Sequence, residues 1–332
     1  MSKKHNKKYV IWNNKGGVGK TFITYCMATE YAKSHCDEKV IIIDMCPQAN
    51  ISAMLLGGNG AGEKNSLQLM NDKKTIAGYI QVRESRSRRD KTGSELEYFI
   101  KPSEYNDKMP DNLHLIAGDI DLDLCSELIR YMEISPQRDS WKISRNLLND
   151  LITSFESMYS DEECVFFIDC NPSFSNYTEL AILSANYLIV PCTADPASLH
   201  GLKNVSRILY NKDVHNGIYV PFKERAEIEK FILPKFYAYI NNKNRTKDKK
   251  SAIAFKAASE DINGYVTSKF GENVKAFEVK DCNTLAVIMD YNGIKPSDLT
   301  ASSYKTYNRR AQAKDSQIKP FREDLTKIVE ML

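Results

Sequence analysis

Short runs that are apolar almost throughout alternate along the chain with longer segments whose apolar residues recur at helical spacing. Tyr9-Val-Ile-Trp12, Val40-Ile-Ile-Ile-Asp44, Leu113-His-Leu-Ile116, Cys164 to Asp169, Tyr187 to Pro191 and Phe236 to Ile240 form the first set. A run without polar alternation suits a strand covered on both faces, as in a parallel sheet. Phe22 to Ser34 is rich in helix formers, and Trp141, Leu147, Leu148, Leu151, Ile152 and Phe155 fall near helical spacing. Strand, helix, strand in succession predicts a βαβ unit. Its repetition predicts an α/β fold, a mostly parallel doubly wound sheet flanked by helices.

The pattern weakens in three places. Residues 1–8 carry Lys3, Lys4, Lys7 and Lys8 with little apolar content and read as a loose basic tail, so the fold is expected to begin at Tyr9. Residues 57–111 are rich in glycine, charge and polar side chains and read as a less regular surface insertion. From 303 to 332 a helical segment is expected; beginning at Pro320, it places Phe321, Leu325, Ile328, Val329 and Leu332 on one face. That face predicts packing onto the domain rather than membrane contact. Glu323, Asp324 and Glu330 offset Arg322 and Lys327, whereas a membrane-surface helix favours a basic polar face. With no repeat and no glycine- or serine-rich linker, residues 9–332 read as one domain.

Composition narrows the class. With 332 residues, 42% of them hydrophobic and 27% charged, the chain can bury a sizeable core and is not disordered. A net charge of +3 does not announce nucleic acid, so any such surface must come from local clusters. The apolar runs fall far short of the roughly 20 residues that cross a bilayer, and no apolar signal segment follows the start, so a cytoplasmic protein is expected. The cysteines (Cys26, Cys36, Cys46, Cys125, Cys164, Cys170, Cys192 and Cys282) are scattered without a C-x-x-C pair, which points to buried thiols rather than a disulfide framework or zinc site.

The strongest chemical signal follows the first strand: Asn13-Asn-Lys-Gly-Gly-Val-Gly-Lys-Thr21 opens the first helix. Gly16, Gly17 and Gly19, with Val18 between them, let backbone N–H groups converge on an anion without Cβ obstruction, and the helix adds its positive dipole end. Lys20 would meet the β and γ phosphates of a nucleotide and the Thr21 hydroxyl would ligate Mg²⁺. The ordinary pattern G-x-x-x-x-G-K-S/T fails, because Asn14 holds the first glycine place and an extra lysine, Lys15, follows it.

Lys15-Gly-Gly-Val-Gly-Lys-Thr21 resembles the deviant Walker A motif of the ParA/MinD family of dimerising P-loop ATPases, and Asn13 resembles the asparagine that commonly precedes it. Further stretches spread the resemblance over most of the chain. Val40-Ile-Ile-Ile-Asp-Met-Cys-Pro-Gln-Ala-Asn50 is similar to the family's D-x-D-P-Q-x-N segment, and Phe166-Phe-Ile-Asp-Cys-Asn-Pro-Ser173 to its Walker B strand and switch. Leu113-His-Leu-Ile-Ala-Gly-Asp-Ile-Asp-Leu122 and Leu188-Ile-Val-Pro191, with Pro196 to Leu202, also fit. The resemblance implies that ATP cements a face-to-face homodimer and that Lys15 reaches the nucleotide of the other subunit. A second ammonium near the phosphates would offset their repulsion and the charge that develops in transfer. Asp169 would hold Mg²⁺ through water opposite Thr21.

The family's second acid, linked to orienting the attacking water, is Cys46 here, while Asp44 matches the first. A thiol with an ordinary pKa near 8.5 stays neutral beside phosphate and is a poor acceptor, which predicts slow turnover. A packing role alone and a redox switch are the other readings of Cys46. The resemblance places an adenine contact at the end of the strand Phe236-Tyr-Ala-Tyr-Ile-Asn-Asn242, on Asn241 and less directly on Asn242, although a turn asparagine has the same appearance.

Basic residues collect at Arg83, Arg86, Arg88, Arg89 and Lys91, at Lys243, Arg245, Lys247, Lys249 and Lys250, and at Lys305, Arg309, Arg310 and Lys314. Such clusters could neutralise DNA phosphates without reading sequence. The last, with Arg309 and Arg310 expected in a helix, is the candidate DNA surface, against the plainer reading of a solvated charged face. No room precedes the loop for a helix-turn-helix, so operator-specific binding is not expected. The leading expectation is a ParA-like partition or positioning ATPase stimulated by a ParB-like partner. The alternative is a nucleotide-gated interaction switch in another complex, such as a defence assembly. A metabolic enzyme on the same loop is a third reading, but no second substrate pocket shows in the sequence.

Overall fold

The computed structural model describes residues 6–85, 93–136, 138–211, 221–244, 249–280 and 282–332. The chain runs from β1 (Lys7–Ile11) through α1 (Lys20–Ser34) to β2 (Lys39–Met45), then α2 (Asn50–Leu55), α3 (Ala61–Asn71) and α4 (Ile76–Ser85). Next come β3 (Leu113–Ile116), α5 (Leu122–Glu133), α6 (Ser140–Arg145), α7 (Leu147–Met158), β4 (Cys164–Cys170), α8 (Asn176–Leu183) and β5 (Tyr187–Cys192). After α9 (Pro196–Tyr210) and α10 (Phe222–Ile228) follow β6 (Lys235–Asn244), α11 (Lys249–Phe270), β7 (Lys275–Lys280) and α12 (Asn283–Asn292). The chain closes with the antiparallel hairpin β8 (Ser303–Thr306) and β9 (Arg309–Gln312), then α13 (Asp315–Val329).

Seven strands form one wholly parallel sheet in the order β3-β2-β4-β1-β5-β6-β7. The apolar runs alternate between two cores. Val10, Ile41, Ile43, Phe166, Ile168 and Val190 face α4 to α11, and Ile11, Val40, Ile42, Phe167, Ile189 and Ile240 face α1, α2, α3, α12 and α13. The chain winds outward one way through β2 and β3 and the other way through β5, β6 and β7, so strand order reverses beside β1. The crevice at the carboxyl ends there is where open α/β sheets bind ligands.

Several boundaries differ from the sequence reading. β1 begins at Lys7, whose partner is Val165, so Lys7 and Lys8 belong to the sheet and not to a tail; residues 1–5 lie outside the described residues. The stretch 57–111 is no mere surface insertion, because its short apolar pieces form α3 and α4, which bury Leu69, Ile76, Ala77, Tyr79 and Ile80. The segment 303–312 is a hairpin rather than helix, and α13 starts at Asp315 with Pro320 inside it. Burial of Ile318, Phe321, Leu325, Ile328 and Val329 carries that helix across a residue lacking an N–H, and packs it onto the domain as expected. The edge strand β7, reading Lys-Ala-Phe-Glu-Val-Lys, was missed because half its side chains are polar. No helix among the described residues is long and apolar enough to cross a membrane, and every cysteine but Cys36 is buried.

Candidate functional site

The loop between β1 and α1 lies in that crevice, and its shape follows from its residues. Gly17 and Gly19 take φ values of 72° and 85°, the left-handed region that favours glycine. A Cβ on Gly19 would also stand 2.1 Å from the Asn242 amide nitrogen. Asn13 is fully buried and braces the turn: its Nδ2 donates to the Pro191 carbonyl at 2.8 Å, and its Oδ1 accepts the Lys15 N–H at 3.0 Å. Gly201 lets α9 approach, since a Cβ there would meet Asn13 Oδ1 at 2.7 Å. The first turn of α1 carries no acidic residue and no side-chain cap, so its N–H groups remain for an anion. Lys20 is buried with its ammonium arched over the loop, donating to the carbonyls of Lys15 at 3.0 Å and Asn13 at 3.2 Å. Burial lowers its pKa, opposed by the charge of Asp169.

Two carboxylates stand side by side in register on β2 and β4, Asp44 opposite Asp169, both wholly buried. Asp169 accepts the Thr21 hydroxyl at 2.8 Å and the Thr24 hydroxyl at 3.1 Å. Burial raises it to about 7, helped by the charge of Asp44 and resisted by Thr21, Thr24 and Lys20. Asp44 faces inward. It accepts the Ser52 hydroxyl at 2.7 Å and N–H at 3.2 Å and the Cys46 N–H at 3.1 Å, and so ties down the turn after β2. Burial raises it to about 6 against those three bonds. Cys46 is 8% exposed, and burial, then the charge of Asp44, pushes its thiol up to about 12. At neutral pH it offers no negative charge. Thr21 and Asp169 supply the hydroxyl and carboxylate oxygens a hard divalent cation selects, placed together at the mouth of the loop, so the donor set fits Mg²⁺.

Lys15 is held within its own chain. Its ammonium lies 2.7 and 2.6 Å from the two oxygens of Asp195, 2.9 Å from the Thr193 hydroxyl and 3.3 Å from that of Ser198. Asp195 also caps α9, accepting the Ser198 N–H at 2.9 Å. Burial alone would raise the Asp195 pKa, but Lys15, Thr193 and that N–H outweigh it and hold the carboxyl below its ordinary value. Sequence reasoning missed this clasp. Its only trace was Asp195-Pro196 with Ser198 three residues beyond the Asp, the signature of a helix cap with proline at its first position.

At the end of β6, Asn242 rather than Asn241 touches the loop. The Asn242 Nδ2 donates to the Val18 carbonyl at 3.1 Å, while the Asn241 Nδ2 turns to Ser259 on α11 at 3.4 Å, as strand alternation requires. The Oδ1 atoms of both are buried without a hydrogen-bond partner among the described residues. Arg309 and Arg310 lie on β9, not on a helix, because the flanking residues pair as a hairpin that sets Lys305 opposite Arg310. Lys305, Arg309, Arg310 and Lys314 are all exposed, and Arg310 donates to the Ser303 hydroxyl and carbonyl, both at 3.0 Å. Arg86, Arg88, Arg89, Lys91, Arg245 and Lys247 lie outside the described residues, as do the side chains of Lys243, Lys249 and Lys250. Arg83 is engaged by Glu95 and Asp150.

Comparison with known proteins agrees with the fold. The model of a family described as AAA domain matches residues 6–216. A curated uncharacterized protein of Methanocaldococcus jannaschii is 24% identical over 193 residues, which is 58% of this chain and 61% of that protein, so the match spans under two thirds of its length. Among solved structures, the ATP complex of a single-residue variant of McdA from Cyanothece is 16% identical, covers 99% of this chain and 98% of its own, and has a TM-score of 0.58. A plasmid partition protein from Borrelia burgdorferi is 17% identical over 99% of this chain and 100% of its own, with a TM-score of 0.54. The seven-stranded sheet is thus the fold of ParA-type P-loop ATPases.

Proposed function

We propose, for a chain that belongs to the AAA-domain family and has the ParA-type P-loop ATPase fold, that it is a cytoplasmic ATPase whose ATP-bound form is a face-to-face dimer. The phosphate loop takes the polyphosphate: backbone N–H groups of Gly16, Gly17, Val18 and Gly19 bind it, and Lys20 leaves its two loop carbonyls for the β and γ phosphates. Thr21 and Asp169 hold Mg²⁺, the carboxylate acting through water; bound there, the cation neutralises charge on the β and γ oxygens. For the base, Asn242 beside the loop offers a buried amide oxygen, and Asn241, on the other face of β6 towards α11, offers a second. Lys15 leaves Asp195 and meets the nucleotide of the partner copy, so that ATP and dimer formation favour each other. Water is oriented poorly because Cys46 stays a neutral thiol, and turnover is slow until a ParB-like protein intervenes. The Lys305, Arg309, Arg310 and Lys314 surface then binds duplex DNA without sequence preference, for partition or positioning of cargo.

The observation that carries this reading is the pairing of two lysines on one loop, one arched over the phosphate position and one held ready at its rim. A second reading, a nucleotide-gated protein-interaction switch without DNA, is favoured by α5, where Leu124 is 69% exposed and Tyr131 65%, with Ile120 and Ile134 exposed at its ends. Light scattering with and without Mg·ATP, then duplex titration over a range of salt, separates the two. A dimer that binds DNA with a steep salt slope supports partition; a dimer indifferent to DNA supports the switch; a monomer in both conditions rejects both.

A further inference from the structure

α5 carries apolar side chains on two faces. Leu122, Cys125, Ile129 and Met132 are buried against the domain, as the inward face of a surface helix should be. The outward face should then be polar, yet Leu124 and Tyr131 are exposed there, and Ile120 and Ile134 continue the stripe beyond its two ends. In the order Ile120, Leu124, Glu127, Tyr131, Ile134 the steps are four, three, four and three residues. That is the seam along which a second helix packs, and Glu127 stands at its centre. Of the exposed charges on α5, Asp123 and Glu127 are acidic and Arg130 is basic.

These charges decide what fits the seam. A second copy would pair antiparallel about a two-fold axis to set Ile120 against Ile134, and that places the two Glu127 carboxylates together at the axis. A helix lying on a membrane favours a basic polar face, the opposite of Asp123 and Glu127. A helix with Lys or Arg opposite those carboxylates satisfies the apolar stripe and the charge together. Asp123 is also bonded inward: its Oδ1 accepts the buried Tyr177 hydroxyl at 3.0 Å, which in turn accepts the Asn171 Nδ2 at 2.7 Å. Asn171 lies on the turn leaving β4, two residues beyond Asp169.

We propose that the outward face of α5 docks a basic amphipathic helix of a partner protein. Apolar side chains of that helix lie against Leu124 and Tyr131, and one cation meets Glu127. A second cation meets Asp123 and competes with Tyr177 for it, so docking is felt at Asn171, beside the carboxylate proposed for Mg²⁺. The docking itself stands apart from nucleotide; its coupling to the phosphate loop rests on the ATPase reading.

Calorimetric titration of the full chain without nucleotide tests the docking. The probe is a capped leucine–lysine peptide, LKKLLKLLKKLLKL, and its control has glutamate at every lysine. The lysine peptide should saturate one site and the control should give no measurable heat. Leu124→Asn with Tyr131→Asn, which strips the seam without altering charge, should abolish binding, and Glu127→Gln should weaken it about tenfold. No saturation, or equal binding by the doubly substituted chain, would overturn the proposal. So would self-association without nucleotide, or flotation with phosphatidylglycerol vesicles, that the double substitution removes, since these assign the face to a second copy or to a membrane; loss of an Mg·ATP dimer in that variant would assign it to the dimer face and overturn the proposal too. Saturating Mg·ATP should shift the peptide affinity at least about fivefold, and Tyr177→Phe should remove the shift. A chain that binds Mg·ATP without any shift overturns the coupling, whereas one that binds the peptide but no Mg·ATP refutes the ATPase reading and leaves the docking in place.

Discussion

The carboxyl ends of β1, β2 and β4 and the β8–β9 hairpin are built from the same kinds of charged and polar residue, yet they differ in how firmly each is held. In the first region Asn13, Lys20, Asp44 and Asp169 are buried and each is bonded to named partners. In the hairpin Lys305, Arg309 and Arg310 are exposed, as is Lys314 just beyond it. Buried polar groups are costly to leave unpaired, so the first region is fixed in one arrangement, whereas exposed charges cost little and specify little. Chemistry that needs positioning belongs to the first, and sequence-independent attraction to the second.

That contrast is open to attack at several points, beginning where the effect should be greatest. Lys20→Ala removes the buried ammonium and should weaken ATP binding roughly a hundredfold in a calorimetric titration, since a hydrogen bond to a charged group contributes about 1.5–3 kcal/mol. Cys46→Asp should raise steady-state phosphate release on the order of tenfold or more, the low end of what a positioned general base contributes; an unchanged rate would assign Cys46 a packing role only. A smaller effect concerns pH. Asp44 at about 6 and Asp169 at about 7 lie above their ordinary 3.8, so the folded chain binds more protons than the unfolded one across that interval. Stability is therefore expected to fall as pH rises from about 4 through 7. The melting temperature should drop between pH 5.5 and pH 8, and Asp169→Asn should flatten the profile. The smallest effect is expected at the hairpin: Arg309→Ala with Arg310→Ala should weaken duplex binding severalfold, lower its salt slope by about 2, and leave ATP binding untouched.

The same contrast governs what could be read from the sequence. Six strands of the large sheet were legible because a strand covered on both faces must be apolar throughout, and the loop because few residue sets let a backbone fold around an anion. β7 and the hairpin were not, since edge and surface strands carry polar side chains that mimic loop. α3 and α4 were hidden in a polar stretch by their short apolar pieces, which make sense only in the tertiary fold, where α3 packs against α2 and α4 against α5. At the site, Lys20, Thr21 and Asp169 come together. The clasp of Asp195, Thr193 and Ser198 on Lys15 could not be seen, because it joins residues about 180 positions apart in the chain.

The central claim is that Lys15 leaves its own Asp195 to close a dimer around ATP. Light scattering on the unaltered chain and on Lys15→Ala, each saturated with Mg·ATP, tests it most directly. The account predicts that the unaltered chain doubles from its 37.8 kDa monomer mass while Lys15→Ala binds ATP and stays monomeric. Equal doubling by both proteins would contradict it.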